Sequence, residues 1–215
     1  MTFDSMNFKF ADRSGRVVAK HVYRGTPLHE AWEDVVNVAK PAIGPQVTKA
    51  AMKLPIEQGL VTFAAEYAAL LMRDNAGPAK KVNGLWFGLV ELAHCGSDGF
   101  SMWAPYISGS RKFKLKNHDW PCDPVWFVED RWAENEPMVI LSSLRKKFSQ
   151  RSWYIDVCLV EPLHRLYVAH FARACPIPIL LGKSKSRGIG CGFDAGDLLT
   201  IGVVDAKGFK PHKTA

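Results

Sequence analysis

The chain has 215 residues, 47% of them hydrophobic, which is enough apolar material for a sizeable core and excludes a disordered chain. Its formal net charge of +7 favours an acidic partner, and nucleic acid is the commonest large one. Five scattered cysteines (95, 122, 158, 175 and 191), with no C-x-x-C pair, argue for reduced thiols and a cytoplasmic setting. The N-terminus does not read as a signal peptide, and no apolar run reaches the ~18 residues of a membrane span.

Residues 6–23 read as one or two strands on the strength of Val17, Val18 and Val22, with Asp12-Arg13-Ser14-Gly15 as a turn. Thr26 suits a helix cap and Pro27 a first helical position. Leu28, Trp32, Val35, Val36 and Ala39 then fall on a helical stripe, which Pro41 is expected to end. Residues 44–75 read as mainly helical, with Leu60, Phe63, Ala64, Tyr67, Leu70 and Leu71 on one broad face. This section interrupts a strand-like chain and is expected to be a helical insertion.

Residues 85–92 read as a buried strand, 94–106 as irregular, and 125–128 as another short strand. Between them, alternation over 108–118 would place Lys112, Lys114 and Lys116 on one side of a strand, beside Arg111, with Phe113 and Leu115 on the other. Residues 129–136 read as a polar connector and 138–147 as a helix ending in Arg145, Lys146 and Lys147, with Arg151 beyond it. Residues 153–160 read as the clearest strand of the chain, ended by Pro162 and followed by a helix over 163–175.

Next comes the glycine-rich stretch 180–193, with Lys183, Lys185 and Arg187 preceding Gly188, Gly190 and Gly192. Read as a loop, it would expose backbone N–H groups beside three cations, a chemistry suited to phosphate. The stretch lacks the spacing of a dinucleotide fingerprint or a phosphate-cradling P-loop. Residues 198–204 read as a strand and 207–215 as a flexible tail. Strand, helix and strand recur over 6–40 and 153–204, which suits an α+β fold with an antiparallel sheet. The expected division is an N-terminal unit over 1–128, a C-terminal unit over 129–206, and the tail.

The helix followed by Gly182-Lys183-Ser184-Lys185-Ser186-Arg187-Gly188-Ile189-Gly190-Cys191-Gly192 and a strand resembles the C-terminal glycine-rich loop of the RAMP superfamily of CRISPR-associated proteins. The likeness covers about 165–204. A weaker one lies in Pro27-Leu28-His29 opening a helix after a strand. What the resemblance implies is ferredoxin-like, RNA-recognition-type units and a place in antiviral defence. Within the superfamily the chain looks most like the subunit that binds the 5′ handle of the guide RNA in type IV effector complexes. Its partners would be the crRNA and the backbone and large subunits of the ribonucleoprotein. Lys183, Lys185 and Arg187 would approach phosphates, and Gly188, Gly190 and Gly192 would let the chain pass close to RNA.

Three basic clusters, 111–116, 145–151 and 183–187, are therefore the expected RNA contacts, without cofactor or metal. Two alternatives stay open. One is metal-independent cleavage of precursor guide RNA, with His29 as the proton-transfer group and Tyr23 or Arg24 assisting. The other is a protein-interaction subunit that touches no RNA, for which seven tryptophans would suit large interfaces.

Overall fold

A computed structural model of the chain describes residues 8–75, 82–92, 101–115, 119–122, 124–132, 135–194 and 198–213. The first element is a helix, α1 (Phe8–Arg24), where strands were expected. β-Branched residues suggested a strand, but the buried positions Ser14, Val18, His21 and Val22 follow the helical period. The helix α2 (Leu28–Ala51) runs past Pro41, which was expected to stop it, and begins after Pro27 with no side-chain cap from Thr26. It breaks instead at Gly44, whose φ of 79° is open to glycine but strained for other residues. Pro45 then restarts it, at a position where no helical N–H is needed. The helix α3 (Ile56–Asn75) fulfils the helical reading of 44–75.

Three strands follow: β1 (Gly84–Leu92), β2 (Met102–Ser110) and β3 (Pro124–Trp132). β3 is longer than the short strand expected and takes up part of the expected connector. Next come α4 (Glu136–Lys147), as expected, and a helix where the clearest strand was expected. That helix runs through α5 (Ser152–Ile155), a π-helical turn (Asp156–Val160) and α6 (Glu161–Ala174). A continuous apolar run suits a buried helix as well as a buried strand, and nearly all of Tyr154–Ala172 is buried. Pro162 does not end it. The proline ring would clash with the carbonyl four residues earlier in an α-helix, and the wider π turn just ahead of it relieves that crowding. The short helix α7 (Ile177–Leu181) leads into β4 (Ser186–Phe193), β5 (Leu199–Asp205) and β6 (Gly208–Pro211). The last of these pairs with β5, so 208–211 is sheet and not flexible tail.

All six strands form one sheet in the order β3-β2-β1-β4-β5-β6. The central pair, β1 and β4, is parallel and every other pair is antiparallel. The fold is thus α+β, as expected, but its sheet is mixed and does not have the antiparallel arrangement of ferredoxin-like units. The boundary expected at 128–129 falls inside β3, and both halves contribute strands to the same sheet.

The alternation of β1 and β4 explains their composition. Leu85, Phe87 and Leu89, with Ile189 and Cys191, face the helices, where Phe87 meets Phe63, Tyr67 and Phe171 at ring separations of 6.2, 5.4 and 5.7 Å. The other face presents Gly84, Trp86 and Gly88 beside Gly188, Gly190 and Gly192, each paired across the ladder with its counterpart. This strip of glycines leaves a trough filled by aromatic rings. Trp120 lies against Gly84 and Gly190, Tyr106 against Gly88, and Phe113 against Gly188. Trp86, Tyr106 and Trp120 form a second apolar cluster there, with Phe113 packed on it. The indole N–H groups of Trp86 and Trp120 donate to Tyr106 Oη at 3.1 Å and Thr200 Oγ1 at 3.2 Å.

Candidate functional site

The glycine-rich stretch is the central strand of the sheet, buried from Arg187 to Phe193, and not an exposed loop. Gly188, Gly190 and Gly192 are therefore buried within the sheet, where Gly188 and Gly190 seat the rings of Phe113 and Trp120. Arg187 is 6% exposed. Its Nε donates to the Val82 carbonyl at 3.0 Å and its Nη1 to the Leu180 carbonyl at 2.9 Å. Burial lowers its guanidinium pKa to about 10. It secures the crossover into β4 and presents no charge to a ligand.

The cations flanking this strand are placed differently. Lys183 and Lys185 lie exposed in the turn before β4, and Arg111, Lys112 and Lys114 lie exposed just beyond β2. The expected strand over 108–118 ends at Ser110, so these side chains do not alternate on a ribbon. Lys116 lies outside the described residues.

The segment before β1 ties the two clusters together. Ser184 Oγ donates to the Val82 carbonyl at 2.7 Å, and Asn83 Nδ2 donates to the Arg111 carbonyl at 2.6 Å. The Asn83 backbone bridges the same two chains, its N–H to Ser110 and its carbonyl to the N–H of Gly188, each at 2.8 Å. Two basic clusters separated by some seventy residues thus meet at one end of the sheet.

The β5–β6 turn extends this end. Ser186 pairs with Asp205, which places the exposed Lys207 beside the start of β4. Asp205 pairs with Lys210 at 2.5 Å and accepts from the Lys207 backbone at 2.8 Å, and the Lys210 bond above all holds its carboxyl below the usual range. Its charge is thereby offset locally. Asp119, also exposed, lies further along the β2–β3 connection. With strands ~4.8 Å apart, the cationic strip from β2 to the β5–β6 turn spans roughly 15 Å.

The 145–151 cluster is elsewhere. Arg145 pairs with Glu91 at 2.5 Å and with Asp156 at 3.0 Å, and its guanidinium lies over Trp103. Glu91 sits near the far end of β1, roughly 30 Å from Val82 at ~3.3 Å per residue. Asp156, in the π turn, also accepts from Trp103 Nε1 at 2.7 Å, and burial raises its pKa to about 6. Lys147 lies over the Phe148 ring, and Lys146 is exposed on the same turn of α4. Arg151 Nη1 donates to the Ala42 carbonyl at 2.7 Å, satisfying a group that the kink at Gly44 leaves open. This cluster is split among local structural duties.

His29 is exposed at the start of α2, 3.9 Å from a Glu30 oxygen and 4.0 Å from one of Glu57. Tyr23 and Arg24 sit on the last turn of α1, where they line a cleft with Arg16, Ala19, Lys20 and Lys213. His29 does not line it. Sequence reasoning missed Arg16, Lys20, Lys207 and Lys213, because α1 was read as strands and 207–215 as a loose tail. The signal for α1 was present in the recurrence of Lys9, Arg13, Arg16, Lys20 and Arg24 at three- and four-residue intervals.

Among the described residues no helix is long and apolar enough to cross a membrane, and no group of His, Cys, Asp or Glu stands ready to hold a metal ion. No family model, curated protein or solved structure matches the chain.

Proposed function

We propose that this protein binds nucleic acid through the end of the sheet that carries Arg111, Lys112, Lys114, Lys183, Lys185 and Lys207. The observation that supports it most is the convergence of two distant basic segments on the Val82–Asn83 junction, with their charged ends in solvent. Cations spread over roughly 15 Å suit several successive phosphates of one backbone. They flank strand ends that are tied together by the Asn83–Arg111 and Ser184–Val82 hydrogen bonds, so little backbone ordering is needed on binding. The role is one of binding, with the charges positioning a backbone and not reading its bases.

RNA is the form to test first, because the exposed Lys183 and Lys185 belong to the motif that resembles the RAMP superfamily. On that reading the ligand is the 5′ handle of a guide RNA and the protein is a structural subunit of a CRISPR ribonucleoprotein, type IV-like in its closest resemblance. Ferredoxin-like architecture, which the same resemblance implies, is not what supports this reading. The exposed cations support it.

The test is a binding titration of repeat-derived RNA at several salt concentrations, with wild type and with Lys112→Ala/Lys183→Ala/Lys185→Ala. Salt-sensitive binding that weakens in the variant upholds the proposal. Binding that is absent, or unchanged in the variant, overturns it. A parallel incubation in EDTA, run on a denaturing gel, tests the cleavage alternative centred on His29.

A further inference from the structure

A second cationic feature lies on the other layer of the molecule. Along α1, Lys9, Arg13, Arg16, Lys20 and Arg24 recur at intervals of four, three, four and four residues, which puts them on one stripe of the helix. The only acid in the helix is Asp12. Its opposite face, with Ser14, Val18, His21 and Val22, is buried. Among the described residues, the side chains of Arg13, Arg16, Lys20 and Arg24 make no ion pair or hydrogen bond.

This stripe forms one wall of a cleft of about 690 Å³, lined by Arg16, Ala19, Lys20, Tyr23, Arg24 and Lys213. Among the described residues that line it, four of six are cations and none is an acid. The walls are held in place. Arg173 donates to the Val22 carbonyl on α1 and stacks its guanidinium 5.2 Å from the Phe209 ring on β6. The His212 N–H donates to the Ile201 carbonyl at 2.8 Å, which fixes the backbone just before Lys213.

We propose that this cleft binds a nucleotide, with its phosphates along Arg16, Lys20 and Arg24 and its base on Tyr23. Residues four apart on a helix rise ~6 Å, so the three cations make a graded row for a chain of phosphates. Tyr23 stands within that row, 47% exposed, and gives a base a face to stack on. Lys213 closes on the phosphates from the opposite wall. Cations alone would serve any anion, and the exposed aromatic ring among them selects one that carries a flat ring. A volume of about 690 Å³ takes a ligand of nucleotide size. The nucleotide is either free or part of a single strand, and both present the same chemistry. The site uses none of the residues at the sheet end and does not depend on the function proposed there.

Calorimetric titrations with inorganic tripolyphosphate, ATP and a single-stranded tetranucleotide test it. ATP or the tetranucleotide is expected to bind about tenfold tighter than tripolyphosphate, the gain from one stacked base. Tyr23→Ala should erase that advantage while leaving tripolyphosphate binding in place. Arg16→Ala/Lys20→Ala should weaken every ligand about tenfold or more. Lys146→Ala/Lys147→Ala, on α4 and outside both proposed sites, should leave all three affinities unchanged, which separates position in the cleft from net charge. Of the affinity that Arg16→Ala/Lys20→Ala removes, a larger share for the tetranucleotide than for ATP assigns the cleft to a strand, and the reverse assigns it to a free nucleotide. No binding, no preference over tripolyphosphate, or no effect of Arg16→Ala/Lys20→Ala overturns the proposal.

Discussion

Phe113 lies across Gly188 so closely that a Cβ at that glycine would stand 2.0 Å from Cδ2 and Cε2 of the ring. The ring in turn meets Trp120 edge-on at 5.3 Å. Gly188→Ala must therefore displace Phe113 or bend the central strand, and overpacking of this kind costs about 1–3 kcal/mol. Removing the ring as well should relieve the clash. Gly188→Ala/Phe113→Ala is expected to be less destabilised than the two single changes added together, measured by urea unfolding as a double-mutant cycle. Additive costs would show that the ring is not what demands glycine.

This relationship also shows how much was legible in the sequence. The alternation of Gly188, Gly190 and Gly192 with Ile189 and Cys191 is a period of two, the signature of a strand, and it was visible throughout. Glycine's flexibility made a loop the natural reading. What excludes the loop is Phe113 and Trp120, which sit some seventy residues away and are brought in by the β2–β3 connection. The α+β class, α3, α4 and β1 were readable because each carries its own period. The segment 153–160 was not, since Trp153-Tyr154-Ile155 and Val157-Cys158-Leu159-Val160 are apolar on every side and no period survives total burial. Lys183 and Lys185 were identified as exposed cations from the sequence. Their meeting with Arg111 and Lys112 depends on Asn83 and Ser184, which carry no distinctive signal of their own.

Arg187 and Lys185 stand two residues apart and should behave in opposite ways. Arg187→Met leaves the Val82 and Leu180 carbonyls without their guanidinium donor inside the protein. An unsatisfied buried polar group costs about 1–3 kcal/mol, so a total loss of about 2–4 kcal/mol is expected. Lys185→Ala removes an exposed charge and should change stability by less than about 0.5 kcal/mol. Thermal melts read both. A harmless Arg187→Met would mean that the guanidinium is not what secures the crossover into β4.

His164 is fully buried on α6, and its Nε2 lies 2.9 Å from the Phe87 carbonyl. A carbonyl accepts, so Nε2 carries the proton, and Nδ1 is buried with no hydrogen-bond partner among the described residues, an environment that favours the neutral imidazole. Burial above all lowers its pKa from 6.5 to about 4. The unfolded chain takes up this proton first, so the contribution is complete above about pH 6.5 and is lost as pH falls towards 4. Its full size is about 3 kcal/mol. Asp156 acts in the opposite sense, because burial raises its pKa to about 6 and the folded state gains stability as pH drops below that value. The difference between wild type and His164→Gln isolates the histidine. The variant's loss of stability between pH 7 and 4.5 should be smaller than that of wild type by about 2 kcal/mol, read from urea midpoints. Equal slopes would remove His164 from the account.

The two ends of the sheet make the most direct prediction about nucleic acid. Lys112, Lys183 and Lys185 share the end near Val82, whereas Lys146 and Lys147 lie on α4, whose Arg145 reaches Glu91 at the other end. If one backbone lies along the first end, each lysine removed there releases about one fewer counterion. For a single-stranded ligand, the slope of log affinity against log salt should flatten by ~0.7 per lysine, about 2 in all for Lys112→Ala/Lys183→Ala/Lys185→Ala. Lys146→Ala/Lys147→Ala removes two positive charges, yet it should leave the slope close to that of wild type. A diffuse attraction to the whole basic molecule would instead flatten with every charge removed, wherever it lay. Fluorescence anisotropy of a labelled RNA across a salt series distinguishes these patterns. Equal flattening in the two variants would mean that charge without location governs binding, and the sheet end would lose its special role.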